Sequence, residues 1–176
     1  MRLYRKLQFM NHSKNDFLEI LSQYQGILHK VNLIYFNNKT EQEDNLQEII
    51  YNLWKSFPEL KNRENPASWI YAVSINTSIS RLRKKTRVEY RDKLPDPVSE
   101  NDSLTKIIEA ETSERLLEAV RRLNEIDRMI MLLYLEDRSY DEIALITGLS
   151  RSNVGVRINR AKELLKKQLN LSENGK

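Results

Sequence analysis

A chain of 176 residues, 40% of them hydrophobic, has room for one larger domain or two small ones, each with a modest core. It has no cysteine, which excludes disulfides, thiolate metal sites and thiol catalysis, and it has no apolar run of the roughly 20 residues that a membrane-spanning helix needs. The net charge is +4, and only 4 Gly and 4 Pro stand among many Leu, Ile, Glu, Lys and Arg, a balance that favours helix over strand.

The opening segment MRLYRKLQFMNHSKND is basic but lacks the apolar stretch of a signal peptide, so a cytoplasmic chain without membrane insertion is expected. Phe17, Leu21, Tyr24, Leu28, Val31 and Tyr35 recur at steps of three and four and predict one amphipathic helix. Asn37-Asn38-Lys39 marks a break, after which Thr40 and Glu43 read as a capping box. The helix it opens places Leu46, Ile49, Ile50, Leu53, Trp54 and Phe57 inward and stops at Pro58. A polar loop over residues 59–64 follows. Asn65-Pro66 is a second start signal, a cap followed by proline at the first helical position. Trp69, Val73, Asn76 and Ile79 then trace one face of a helix that runs into a basic segment. These elements predict a helical domain over residues 1–91.

Charge is distributed unevenly. Residues 79–91 carry Arg81, Arg83, Lys84, Lys85, Arg87 and Arg91 against Glu89 alone, and residues 151–167 carry Arg151, Arg157, Arg160, Lys162, Lys166 and Lys167 against Glu163. Between them, residues 92–118 hold eight acids and three bases. Two basic runs separated by an acidic one suggest two polyanion-binding surfaces and a connector that avoids them, although a solvated helix face would give the same local pattern. Residues 92–110, with Pro95, Asp96, Pro97, Ser99, Asn101, Asp102 and Ser103, read as an acidic flexible linker. Leu116, Leu117, Val120 and Leu123 restart a helical pattern, which Ile126, Ile130, Leu133 and Tyr134 continue beyond a turn near Asn124. A second domain is expected over residues 111–171, with a frayed tail at 172–176.

The most specific local signal runs from Ser139 to Val154. Ser139 and Glu142 form a capping box, Ala144 is small enough for two helices to cross closely, and Gly148 can take the positive φ of a tight turn. Leu149 and Val154 fill the crossing, and Ser150 caps a second helix that begins with Arg151, Ser152 and Asn153. In a helix-turn-helix those three positions face base edges in the major groove, where Arg pairs with guanine and Asn with adenine. Arg157 and Arg160, farther along, suit phosphate contact. Ala and Gly alone would fit an ordinary helical hairpin; both caps, Val154 and the basic flank together point to DNA. Gly155 is unexpected inside a helix, where it costs about 1 kcal/mol against alanine, and close approach to DNA would explain it.

The stretch LLEAVRRLNEIDRMIMLLYLEDRSYDEIALITGLSRSNVGVRINRAKELL resembles region four of RNA polymerase sigma factors of the extracytoplasmic-function (ECF) type. EDNLQEIIYNLW resembles the region-two segment of the same family that docks on the polymerase clamp, and NPASWIYAVSINTSISRLRKK resembles the helix after it. The resemblance implies an all-α protein of two small helical domains joined by an acidic linker, the second a helix-turn-helix domain. It implies that Asp44, Gln47 and Glu48 contact core polymerase while Trp54 packs inside. It implies that the loop with Lys61, Asn62, Arg63, Glu64 and Asn65 captures an unstacked base of the −10 element, with Asn76, Arg81, Arg83, Lys84, Lys85 and Arg87 following the phosphates. Arg151, Ser152, Asn153, Arg157 and Arg160 would bind the −35 element, and the linker would thread the polymerase's positively lined RNA path. Core RNA polymerase, promoter DNA and an anti-sigma protein are the implied partners. Ser80, where the family commonly has an acid, Gly155, where it has a base, and the Arg-Ser-Asn start of the last helix depart from the pattern, which leaves the promoter sequence open.

Two other functions fit parts of the chain. A helix-turn-helix regulator without a polymerase-subunit role would use the C-terminal motif and leave the N-terminal blocks unexplained. A helical adaptor that binds no nucleic acid sits poorly with the clustered bases. An enzyme is not expected. His12 and His29 have no metal-ligand spacing, and there is no Gly-rich phosphate loop or nucleophile motif. No cofactor, metal, small-molecule substrate or catalytic residue is therefore expected.

Overall fold

The computed structural model describes residues 14–60, 66–89 and 107–173, and among these every regular element is helical. A first helix, α1, covers 14–23. It is followed by α2 (Gln25–Tyr35), α3 (Lys39–Ser56), a 3₁₀ turn (Phe57–Glu59) and α4 (Ala67–Glu89). The second half consists of α5 (Ile107–Arg121), α6 (Glu125–Leu135), α7 (Tyr140–Thr147) and α8 (Arg151–Glu173). Helix α5 opens inside the stretch read as a linker. Residues 90–106 lie outside the described residues, as do residues 1–13 and 174–176.

The first helical pattern is two helices rather than one. Tyr24 leaves helical geometry at φ −109°, ψ 15°, next to Gln25 and Gly26, and the poor helix propensity of glycine makes this a cheap place to break. The cap of α3 also differs from the expected Thr40–Glu43 box. Asn38 takes the cap position and its side chain accepts from the Glu41 N–H at 2.7 Å. Asparagine is the stronger N-cap, and it starts the helix two residues earlier. At α4, Pro66 stands just before the first helical residue, and its carbonyl accepts from Ile70 N–H at 2.9 Å. The loop 61–65, including the predicted cap Asn65, lies outside the described residues.

The first domain packs around Phe17, Leu28, Val31, Ile49, Leu53, Phe57, Ile70, Tyr71 and Ile75. Phe57 is fully buried, edge-on to Phe17 at 5.3 Å and tilted against Trp69 at 6.3 Å. A polar seam crosses this core. Asn45, wholly buried on α3, donates to the Asn32 side-chain oxygen at 2.6 Å and to Ser78 Oγ at 2.9 Å. Hydrogen bonds made only at one helix register favour one alignment of α2, α3 and α4 over its slipped alternatives. The second domain buries Val120, Leu123, Ile130, Leu133, Ile143, Val154, Ile158, Ala161 and Leu165. The two cores are continuous, because α2 and α4 of the first domain pack against α5, α6 and α7 of the second.

Candidate nucleic-acid and polymerase interfaces

In the second domain the turn between α7 and α8 is built as the sequence predicts. Ser139 Oγ accepts from Glu142 N–H, and the Glu142 carboxylate accepts from Ser139 N–H at 2.9 Å, closing the capping box. Those bonds from Ser139 hold the Glu142 carboxyl below its usual pKa. A depressed folded-state pKa stabilises the fold above the unfolded value, and that contribution is lost as pH falls through the folded value. Ser139→Ala is expected to lower the stability of this domain by about 1 kcal/mol and to flatten its dependence on acid pH, measured by thermal melts between neutral and acid buffers.

Gly148 ends α7 at φ 72°, and its N–H donates to the Ala144 carbonyl at 2.9 Å. Ser150 caps α8 through Asn153 N–H at 3.2 Å, and Val154 is fully buried at the crossing. Arg151, Ser152 and Asn153 are consequently exposed on the first turn of α8, where a major-groove reader needs them. Arg160 is exposed two turns on. Arg157 is different: its guanidinium turns inward to Asp127 at 2.6 Å and also donates to Asn153 at 3.1 Å. It braces α8 against α6 and steadies the Asn153 side chain. Arg151 meets Asp141 at 3.1 Å, but both are about 70% exposed (69% and 74%), so solvent screens the pair heavily.

Packing within the fold does not demand glycine at position 155. A Cβ there would lie 3.4 Å from the Tyr140 ring, in ordinary contact with α7. Alanine therefore fits, and Gly155→Ala is expected to raise stability by up to about 1 kcal/mol in chemical denaturation.

In the first domain the candidate residues are brought together in a way their sequence positions hide. Arg81 on α4 meets Asp44 at 2.7 Å and Glu48 at 3.4 Å on α3. Lys84 meets Glu48 at 3.8 Å, and Lys85 meets Glu41 at 2.6 Å. Arg83 turns away from α3 and pairs with Glu125 of the second domain at 2.9 Å. The basic run thus lies in a lattice of acids, and the residues expected to face polymerase share a seam with those expected to face DNA. Gln47 and Asn76 are exposed. An exposed Asn76 departs from the apolar face on which its spacing placed it; the face buried by α4 carries Ile70, Tyr71, Ser74, Ile75 and Ser78 instead. Lys61, Asn62, Arg63 and Asn65 lie outside the described residues, as does the side chain of Arg87.

Trp54 does not pack inside. It is 43% exposed and meets Phe17 edge-on at 5.1 Å. With Leu18, Gln47, Ile50 and Tyr51 it lines an open apolar groove of about 450 Å³ between α1 and α3. The sequence carried a signal for this patch: Tyr51 and Trp54 are three apart and share a helix face with Gln47. Buried Ile49 and Leu53 beside exposed Tyr51 and Trp54 show that α3 turns only one edge of its apolar stripe to the core.

Two sequence families match this architecture domain by domain. The sigma-70 region 2 family matches residues 20–88, and the sigma-70 region 4 family matches residues 113–165. The RNA polymerase sigma factor SigV of Bacillus subtilis (strain 168) is 30% identical over 135 residues, covering 77% of this chain and 80% of that protein. The ECF RNA polymerase sigma factor SigW of the same organism is 24% identical over 171 residues, covering 89% of this chain and 90% of SigW. Among solved structures, the sigma factor RpoE in complex with the anti-sigma factor NepR from Bartonella quintana aligns with a TM-score of 0.74 at 19% identity, covering 88% of this chain and 97% of RpoE. CnrH in complex with the cytosolic domain of CnrY aligns with a TM-score of 0.61 at 18% identity, covering 88% of each chain. These two share the fold. The chain belongs to the ECF sigma factors of the sigma-70 superfamily. It is a polymerase-binding, promoter-recognition subunit, in a family of initiation factors that are not enzymes. No described helix is long and apolar enough to cross a membrane.

Proposed function

We propose the following division of labour between the two domains, residues 1–91 and 111–171. The first docks on core polymerase through Asp44, Gln47 and Glu48, with the neighbouring Trp54–Tyr51 groove supplying the apolar part of the contact. The same domain holds the opened −10 strand: the 61–65 loop takes an extruded base, and Asn76 with Arg81, Arg83, Lys84, Lys85 and Arg87 follows the backbone. The second domain grips −35 duplex with Arg151, Ser152 and Asn153 at the base edges and Arg160 on phosphate, while Arg157 acts mainly as a brace. Promoter melting comes from trapping a flipped base, without hydrolysis, catalytic residue, metal or cofactor. An anti-sigma protein is a further partner, by analogy with the sigma factor RpoE held by the anti-sigma factor NepR. The protein acts in the cell interior, where the chromosome is.

The observation that carries this reading is the polar triplet Arg151-Ser152-Asn153, exposed on the first turn of a capped helix that follows a left-handed glycine turn. Run-off transcription with core polymerase, with and without the protein, on a genomic promoter library tests it. Discrete protein-dependent start sites with shared upstream elements are expected. Tight DNA binding without polymerase binding or initiation would instead favour a regulator that acts by occupancy.

A further inference from the structure

We propose that Asp127, a buried residue of α6, sets base specificity in the −35 reading helix. It acts through Arg157, whose guanidinium holds the Asn153 amide in one orientation, so that a single hydrogen-bonding pattern is offered to the groove. This rests on the assignment of Asn153 to the −35 element.

The chain of contacts begins at the N-cap of α6. The Asn124 side-chain oxygen accepts from the Asp127 N–H at 3.0 Å, and the Asn124 amide N–H donates back to Asp127 Oδ2. The other carboxylate oxygen, Oδ1, accepts from Arg157 Nη1 at 2.6 Å. Both oxygens are engaged, and the Asp127 side chain is only 13% exposed, so solvent screens this pair far less than Arg151–Asp141 on the same helix. The first turn of a helix is also where the helix dipole favours negative charge. Asp127 thereby fixes the plane of the guanidinium. Because the arginine donors diverge in a rigid fork, it also fixes the direction of the Nε–H. That N–H points at Asn153 Oδ1, 3.1 Å away and one turn back along α8. The Asn153 main chain is held independently, by the Ser150 cap on its N–H.

An asparagine amide without such a neighbour can flip, exchanging a donor for an acceptor at the same place. Arg157 removes that choice. A guanidinium has no acceptor, so the atom that meets it is the oxygen, and the –NH2 group is left for DNA. In the flipped amide the –NH2 would face the guanidinium, losing a charge-assisted bond and setting donor against donor. The held amide suits a base edge that offers Nδ2 an acceptor, such as N7 of a purine or O4 of thymine. Cytosine presents only its N4 donor in the major groove and is the base refused. Arg157 is a positioning residue on this account, and Asp127 positions it in turn. Neither role is visible in the sequence, where 30 residues separate the two.

The test is run-off transcription by the full chain with core polymerase on a promoter whose −35 element is randomised. Sequencing the transcripts gives the base preference at each position. Asn153→Ala identifies the position that the amide reads, as the one whose preference it abolishes. Asp127→Ala and Arg157→Met should each lower the preference at that same position by about 5- to 10-fold, chiefly by admitting cytosine, and keep the ranking of bases elsewhere. The double variant should lower it no further than Arg157→Met. In an Asn153→Ala background neither change should alter it, because residues acting in series are not additive. Thermal melts record the loss of the ion pair separately. A lowered melting temperature with the base preference intact would make the pair merely structural and overturn the proposal. So would a loss spread equally over all positions with a shallower salt slope for Arg157→Met, the mark of a phosphate contact. Failure of the −35 assignment looks different: Asn153→Ala would then alter no position, and the proposal would fall with it. Failure of the proposal alone leaves the Asn153→Ala effect standing and removes those of Asp127→Ala and Arg157→Met.

Discussion

Alanine at Arg151 or Asn153 is expected to lower −35-dependent initiation by about 5- to 150-fold per residue, the equivalent of 1–3 kcal/mol for one bidentate base contact. Both side chains leave the first turn of α8 exposed, and neither is buried in an interaction whose loss would unfold the domain. The Arg151–Asp141 pair is largely solvated, so it is a weak competitor for a base edge that Arg151 would meet in the groove. The measurement is run-off transcription on the best promoter from the library, beside a version with its −35 element scrambled. On the intact promoter each variant should fall towards the wild-type level on the scrambled one, and on the scrambled promoter variants and wild type should coincide. Equal activity of the double variant and wild type on the intact promoter would remove α8 from −35 reading. Arg160→Ala should behave otherwise, weakening all promoters alike and reducing the salt slope, as a phosphate contact does.

Phe57→Ala is expected to cost the first domain about 3–5 kcal/mol, the range for removing a large aromatic from a packed core. Phe57 is completely buried where α3 gives way to the 3₁₀ turn, and it joins α1 through Phe17 to α4 through Trp69. Losing it leaves a cavity at the point where three elements meet, which cannot collapse without moving α4 and the residues assigned to −10 DNA. Small domains have only about 5–15 kcal/mol in total, so the variant should unfold at much lower denaturant concentration. Phe57→Leu, which refills most of the volume, should lose far less. Comparable midpoints for wild type and Phe57→Ala would mean that the aromatic cluster is not a keystone of this domain.

The match to sigma-70 region 2 over residues 20–88 accounts for the half of the chain that a plain helix-turn-helix regulator leaves idle. Much of the second domain was legible directly. The Ser139–Glu142 box, the left-handed Gly148, the Ser150 cap and buried Val154 are local features, set by residues within a turn or two of each other. The exposed reading triplet follows from them, because a capped helix start fixes which side chains point out.

What the sequence determined by itself was therefore local chemistry: helical class, the turn, most of the helix boundaries and the order of two domains. Its errors were of two kinds. Near ties were decided by a residue or two, as when Asn38 displaced Thr40 as a cap and the first helix broke at Tyr24. Faces were misjudged where a stripe is wider than the surface available to bury it, which left Trp54 outside and turned Asn76 to solvent. Only the tertiary structure decided where the charges go. The run from Arg81 to Lys85 reads as a free basic stripe, yet its partners Asp44, Glu48 and Glu41 lie 33 to 44 residues away, and Glu125 lies 42 residues away in the other domain. Periodicity records which side of a helix is apolar. It carries no record of which other helix will lie against the polar side, and electrostatic pairing depends on that distance and on how far solvent screens the pair.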